Sequence, residues 1–164
     1  MKTLLILRHA KSSWKDISLT DHDRPLKKRG QRDAPRMGSL LREQGIVPDL
    51  ILSSTAKRAI TTAVMVADAC GYENDIDVRR EFYPGYPDAY IDALREAADK
   101  NQIVMVVGHN PGLEELLDLL TESGELLPTA ALAQVALPVQ SWNELNYETS
   151  GELVNLWRPR EVQD

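Results

Sequence analysis

The sequence predicts an α/β fold built on a mostly parallel sheet with helices on both faces. Two runs, residues 4–7 (Leu-Leu-Ile-Leu) and 103–107 (Ile-Val-Met-Val-Val), are wholly apolar and stop at polar residues. Short runs of this kind, without polar alternation, mark strands buried on both faces. Between and around them, apolar residues recur at helical spacing, so strand and helix alternate along the chain.

The first strand, 4–7, runs directly into Arg8 and His9 and then into a polar loop. Pro25-Leu26-Lys27-Lys28-Arg29-Gly30 leads into a helical pattern with Ala34, Met37, Gly38 and Leu41 on one face and a stop at Gly45. Pro35 lies inside this pattern, so the helix either starts late or kinks there. Residues 50–52 form the second buried strand. Ser54 or Thr55 caps the next helix, which buries Ala59, Thr62, Ala63 and Val66 and ends near Gly71. Residues 76–78 are a short strand. Residues 88–99 are amphipathic through Tyr90, Ile91, Leu94 and Ala98. After strand 103–107, Asn110 and Pro111 supply the cap and first residue of a helix that buries Leu113, Leu116, Leu117 and Leu120. The tail carries strands near 133–137 and 153–156, joined by a connection that contains Trp142.

The 164 residues are 43% hydrophobic and 27% charged, a globular composition that fits a single domain over 1–164. One cysteine, Cys70, excludes an internal disulfide framework and fits a reducing compartment. The run at 4–7 is too short for a signal-peptide core, and no run approaches the roughly 18 residues of a spanning helix. A cytoplasmic location without membrane association is therefore expected. The net charge of −6 is unevenly spread: residues 1–60 hold 13 Lys or Arg against 6 Asp or Glu, whereas residues 61–164 hold 6 against 19. Cations concentrated in one segment of an acidic chain can build a local anion site. Nucleic acid is not an expected partner, because no aromatics interleave with the basic run.

Three strand-to-helix junctions carry reactive side chains. Ligands of open α/β sheets bind outside the carboxyl ends of the strands. Arg8 and His9 follow the first strand, Arg58 opens the helix after the second, and His109 follows strand 103–107 just before a helix. Guanidinium groups match phosphate or carboxylate geometry, and an imidazole serves as nucleophile, base or metal ligand. Helix N-termini add donors and a favourable dipole for an anion. Singly, each of these residues is ordinary loop or surface chemistry; together they make an anion pocket that holds a nucleophile. A metal site fits less well, because the histidines lack close-spaced partners and His22 sits apart with Asp21 and Asp23. No Gly-x4-Gly-Lys-Ser/Thr loop occurs, and the position six residues after Cys70, where a cysteine phosphatase needs arginine, is Ile76.

Arg8-His9-Ala10, Lys57-Arg58-Ala59 and Gly108-His109-Asn110, in that order, resemble the motifs of the histidine phosphatase superfamily, the phosphoglycerate mutase-like proteins. Arg24-Pro25-Leu26, Arg29-Gly30 and the short length are most similar to its SixA-type phosphohistidine phosphatases. The resemblance implies a three-layer α/β/α sandwich whose mostly parallel mixed sheet has one antiparallel strand. It implies that His9 accepts the phosphoryl group, that Arg8, Arg58 and His109 hold its oxygens, and that no metal or other cofactor takes part. Arg24 is a further candidate for phosphate binding. Ala10 replaces the motif glycine and adds a methyl near the phosphate. In mutase-like members a Glu after the third strand protonates the leaving group, and Glu81 occupies the matching segment here; SixA-type enzymes dispense with an acid. The expected partner is a phosphorylated protein carrying phosphohistidine, with a small phosphate ester or a non-catalytic anion-binding module as alternatives. Arg24, Lys27, Lys28, Arg29 and Arg32 either steer an acidic partner or only keep a helix solvated.

Overall fold

The computed structural model describes residues 1–162. One six-stranded sheet has the order β3-β2-β4-β1-β5-β6, with β1 (Lys2–Arg8), β2 (Leu50–Ser54), β3 (Asp77–Arg79), β4 (Ile103–Gly108), β5 (Leu132–Leu137) and β6 (Glu152–Trp157). β1 and β4 lie in the interior of the sheet, pair in parallel, and bury both faces, which explains their unbroken apolar sequence. β5 alone runs against its two neighbours, β1 and β6.

Side chains alternate across the pleat. Leu4 and Ile6 of β1, with Val104 and Val106 of β4, face a core built with α3 (Pro87–Arg95) and α4 (Gly112–Thr121). Leu5, Leu7, Met105 and Val107 face the opposite core, under α1 (Lys28–Glu43) and α2 (Lys57–Cys70). The layers are thus helix, sheet, helix, as expected. The chain leaves β1 towards one face and β4 towards the other. These neighbouring strands therefore bound the crevice where α/β folds bind ligands.

Local details depart from the sequence expectation. α1 runs straight through Pro35, whose missing N–H leaves the Gln31 carbonyl without its helical partner. The residue ahead of α2 is Ala56, because Ser54 spends its hydroxyl one step earlier, accepting from the Ala56 N–H at 3.1 Å. α3 ends at Arg95 rather than near Asp99, whose carboxylate instead accepts from the Ser141 hydroxyl and the Trp142 N–H. Pro111, not Asn110, stands at the cap of α4, and the Asn110 amide donates to the Leu127 carbonyl at 2.8 Å. β3 is displaced by one residue from the predicted 76–78.

Gly30 packs α1 against the segment that follows the first strand: a Cβ there would collide with the Lys11 carbonyl oxygen and crowd the Lys11 amide. Ser12 and Leu26 form an antiparallel bridge beside it. This contact holds the loop after His9 in place. Gly30→Ala is expected to destabilise the fold by about 1–3 kcal/mol, the scale of overpacking against rigid backbone. Urea unfolding checks it; an unchanged midpoint would mean that the loop yields freely.

Candidate active site

Strand register assembles the site. β1 and β4 pair with Arg8 opposite Gly108, and the His9 N–H donates to the Gly108 carbonyl at 3.1 Å. His9 and His109 therefore leave adjacent strands together, with ring centroids 5.2 Å apart. Gly108 is required at this exit, since a Cβ would strike the Tyr90 hydroxyl, which accepts from the His109 N–H at 3.2 Å. β2 lies on the other side of β4, so the first turn of α2 brings Arg58 to the same rim. Arg8, His9, Arg58, His109 and Arg24 all line one cavity of about 230 Å³, with Lys11, Ser12, Trp14, Asn110 and Thr129.

The imidazoles are held neutral and oriented. His9 Nδ1 lies 2.8 Å from the Ala10 carbonyl, which can only accept, so Nδ1 carries the proton and Nε2 the lone pair. Burial first, then His109, Arg58 and Arg8, push the His9 pKa down to about 3 against the opposing pull of the Ala10 carbonyl. His109 is lowered to about 4 by burial, then by Arg58 and Arg8, with Asp21 opposing. Ser54 Oγ accepts from Ala56 N–H and sits 2.8 Å from His109 Nε2, so it can donate there and leave the His109 proton on Nδ1.

That Nδ1 has no partner. Among the described residues, the buried side-chain polar atoms without a hydrogen bond are His109 Nδ1, Arg8 Nε and Asn110 Oδ1, all on residues that line this cavity. Buried polar groups are nearly always satisfied, so orphans confined to one cavity mark it as built for a ligand. Two of the three are on cationic or donor-capable groups, which fits an anion. Burial lowers the Arg8 pKa from its ordinary value, partly countered by Glu114, but the guanidinium stays charged.

A residue missed by sequence reasoning, Asp21, sits among the arginines. Its carboxylate accepts from Arg24 at 2.9 Å, Arg58 at 3.0 Å and the Tyr83 hydroxyl at 2.7 Å. Partial burial pushes its pKa up, but these three donors outweigh it and hold the carboxyl well below the usual range. Its backbone carbonyl takes a further Arg58 bond at 2.6 Å. Asp21 lies in a polar loop with no periodic signal, so only the path of the chain reveals it. His22 beside it meets Thr55 Oγ1 at 2.9 Å and the edge of Tyr83.

Glu81 is not among the residues that line the cavity. It follows β3, the edge strand of the sheet, and its carboxylate meets Arg79 at 3.4 Å, which also binds Asp77 and Glu96. Ala10 is fully buried in the core under α1 and α2 and also does not line the cavity; its N–H donates to Thr62 Oγ1 at 2.9 Å. The predicted basic rim divides. Arg24 joins the cavity, whereas Arg29, Arg32 and Arg36 surround the buried carboxylate of Asp33 and line a separate cavity of about 360 Å³ with Arg158 and Arg160.

The family model of the histidine phosphatase superfamily (branch 1) matches residues 4–82. An uncharacterized chloroplastic protein of Arabidopsis thaliana is 36% identical over 155 residues, covering 87% of this chain and 70% of that protein. A 2,3-bisphosphoglycerate-dependent phosphoglycerate mutase of a Nocardioides species is 39% identical over 82 residues, 49% of this chain and 33% of the mutase. Among solved structures, a protein assigned as the phosphohistidine phosphatase SixA of Agrobacterium tumefaciens superposes with a TM-score of 0.82 at 28% identity, covering 96% of this chain and 98% of that one. The protein histidine phosphatase SixA in complex with tungstate superposes equally well, with a TM-score of 0.82 at 22% identity and coverage of 96% and 97%. The sheet order and the single antiparallel strand match this fold.

The depressed imidazoles yield a direct expectation. Both are lowered, so each stays neutral as pH falls through 6.5 and gains its proton only near 4 for His109 and near 3 for His9. In an NMR titration the ring carbon protons of both should stay flat from pH 8 to 5. Bound phosphate, as an opposite charge, should move both midpoints upward. A midpoint near 6.5 for either ring in the free protein contradicts the assignment.

Proposed function

This chain belongs to the histidine phosphatase superfamily, and we propose that it hydrolyses phosphohistidine on a protein through a phosphoryl intermediate on His9. The observation that carries the reading is the cavity wall itself: a neutral imidazole with a free Nε2, unpartnered donors beside it, and no carboxylic acid among the described residues that line it. An alkoxide leaving group needs a proton from a nearby acid. Glu81 is engaged elsewhere, and Asp21 is ionised at neutral pH and has no proton to give. An imidazole leaving group protonated on its distal nitrogen needs no such help, because it then departs as neutral imidazole.

The steps balance on that basis. The Nε2 lone pair of His9 attacks phosphorus, a P–N bond forms, and the P–N bond to the substrate imidazole breaks with its electron pair. Water then attacks the phosphorus of the His9 adduct, the second P–N bond breaks, and inorganic phosphate leaves with His9 restored. Two displacements replace one difficult hydrolysis. Arg8, Arg58 and the Nδ1–H of His109 serve the equatorial oxygens, where charge must be stabilised during transfer. Arg24 adds charge at the mouth of the cavity.

His9→Ala is expected to abolish turnover while the fold survives, since the ring belongs to the cavity wall and not to the apolar core. Acid-labile label from a phosphorylated substrate should be trapped on the wild-type protein alone; label that persists in His9→Ala refutes the nucleophile. Arg58→Ala should cost roughly 10²–10³-fold in kcat, the scale of one lost electrostatic stabiliser. Glu81→Gln should change phosphohistidine turnover less than about threefold. A loss of orders of magnitude would place a general acid there and favour small phosphate esters. Activity should survive EDTA; loss reversed by a divalent metal would reopen a metal role for the two histidines.

A further inference from the structure

We propose that the loop from Ser12 to Leu19 is a docking surface for the substrate protein, with Trp14 and Ile17 as its anchors. The inference rests on the phosphohistidine reading and extends it from the reacting group to the protein that carries it. Trp14 lines the catalytic cavity yet is 70% exposed, Ile17 is 96% exposed, and Leu19 is 37% exposed. Single exposed apolar residues are ordinary, but here three fall within six positions and the first of them lines the cavity.

The loop is built, not loose. The Arg24 guanidinium stacks on the Trp14 ring at 3.2 Å from its centroid, while its edges bond the Ser13 carbonyl at 3.1 Å, Ser12 Oγ at 2.5 Å and Asp21 Oδ1 at 2.9 Å. Ser13 N–H donates to the Pro25 carbonyl at 2.8 Å. Asp16 Oδ1 accepts from both the N–H and the hydroxyl of Ser18, a closed turn with Ile17 at its tip. Arg24 is thus anchored by three bonds while its face carries an aromatic ring open to solvent. A large apolar side chain fixed in advance loses little entropy on binding, which is why Trp and Arg dominate interface anchors.

The occupant is a folded protein that presents its phosphohistidine beside an apolar patch. Continuity with the cavity argues for the substrate itself, since Trp14 and His9 line the same cavity. Lys11 on the cavity wall and the exposed Lys15 next to Trp14 outnumber the single Asp16 across residues 11–19, which favours carboxylates around that patch.

Ile17→Glu tests this, because Ile17 does not line the cavity and its exposure makes a folding defect unexpected; an unchanged melting temperature verifies that. Turnover is measured on folded proteins phosphorylated on histidine and on free phosphohistidine. Wild type should prefer a phosphoprotein, and Ile17→Glu should lower kcat/KM for it by about tenfold or more, mostly through KM. Free phosphohistidine turnover should stay within about twofold. Equal phosphoprotein turnover by wild type and variant overturns the docking surface and leaves the phosphohistidine reading intact. Wild type that shows no preference for protein over free phosphohistidine also overturns the docking surface. Wild type that hydrolyses neither overturns the phosphohistidine reading, and the docking surface falls with it.

Discussion

The parallel pairing of β1 with β4 is the constraint from which the rest follows. Its register sets Arg8 opposite Gly108, and so brings two histidines, 100 positions apart in sequence, to one point on the rim. A shift by one residue would turn the alternating side chains of β1 to the wrong cores and draw His9 away from His109. The apolar layers on both faces make that shift costly. Leu5 and Leu7 belong to the core of α1 and α2, and Leu4 and Ile6 to that of α3 and α4. The geometry of the candidate site is therefore secured by burial rather than by the polar residues themselves.

Electrostatics then works on this fixed frame. Neutral imidazoles are the state that a buried site beside three arginines enforces, since each added cation disfavours another. His9, the proposed nucleophile, is thereby kept unprotonated on Nε2 across the physiological range. The same crowding leaves Arg8 Nε and His109 Nδ1 without partners, a cost that a bound oxyanion removes.

What was legible in the sequence was whatever burial writes into composition. The unbroken apolar runs of β1 and β4 revealed the central strands, and their exits revealed Arg8, His9 and His109. Arg58 was legible from its place at a helix start. Features decided by the tertiary path were not. Asp21 lies in a loop with no period, and its role comes from arginines supplied by two different segments. Glu81 matched a motif position, yet it follows the edge strand β3, pairs with Arg79 and does not line the cavity. Cap positions failed for a local reason: Ser54 and Asn110 have hydrogen-bonding uses nearby that compete with capping.

Asp21 carries one more consequence. Two of the arginines that line the cavity, Arg24 and Arg58, already hold a tethered anion, at an effective concentration that for short connections is on the order of millimolar. Inorganic phosphate shares Arg58 and Arg24 with this carboxylate and meets it as a competitor there. The arginines stay aligned between turnovers without collapsing onto one another or onto solvent ions. Product inhibition is weakened by the same arrangement, at some loss of affinity for any phosphate group that cannot draw binding energy from elsewhere. A substrate with a large contact surface is the kind that loses least by it.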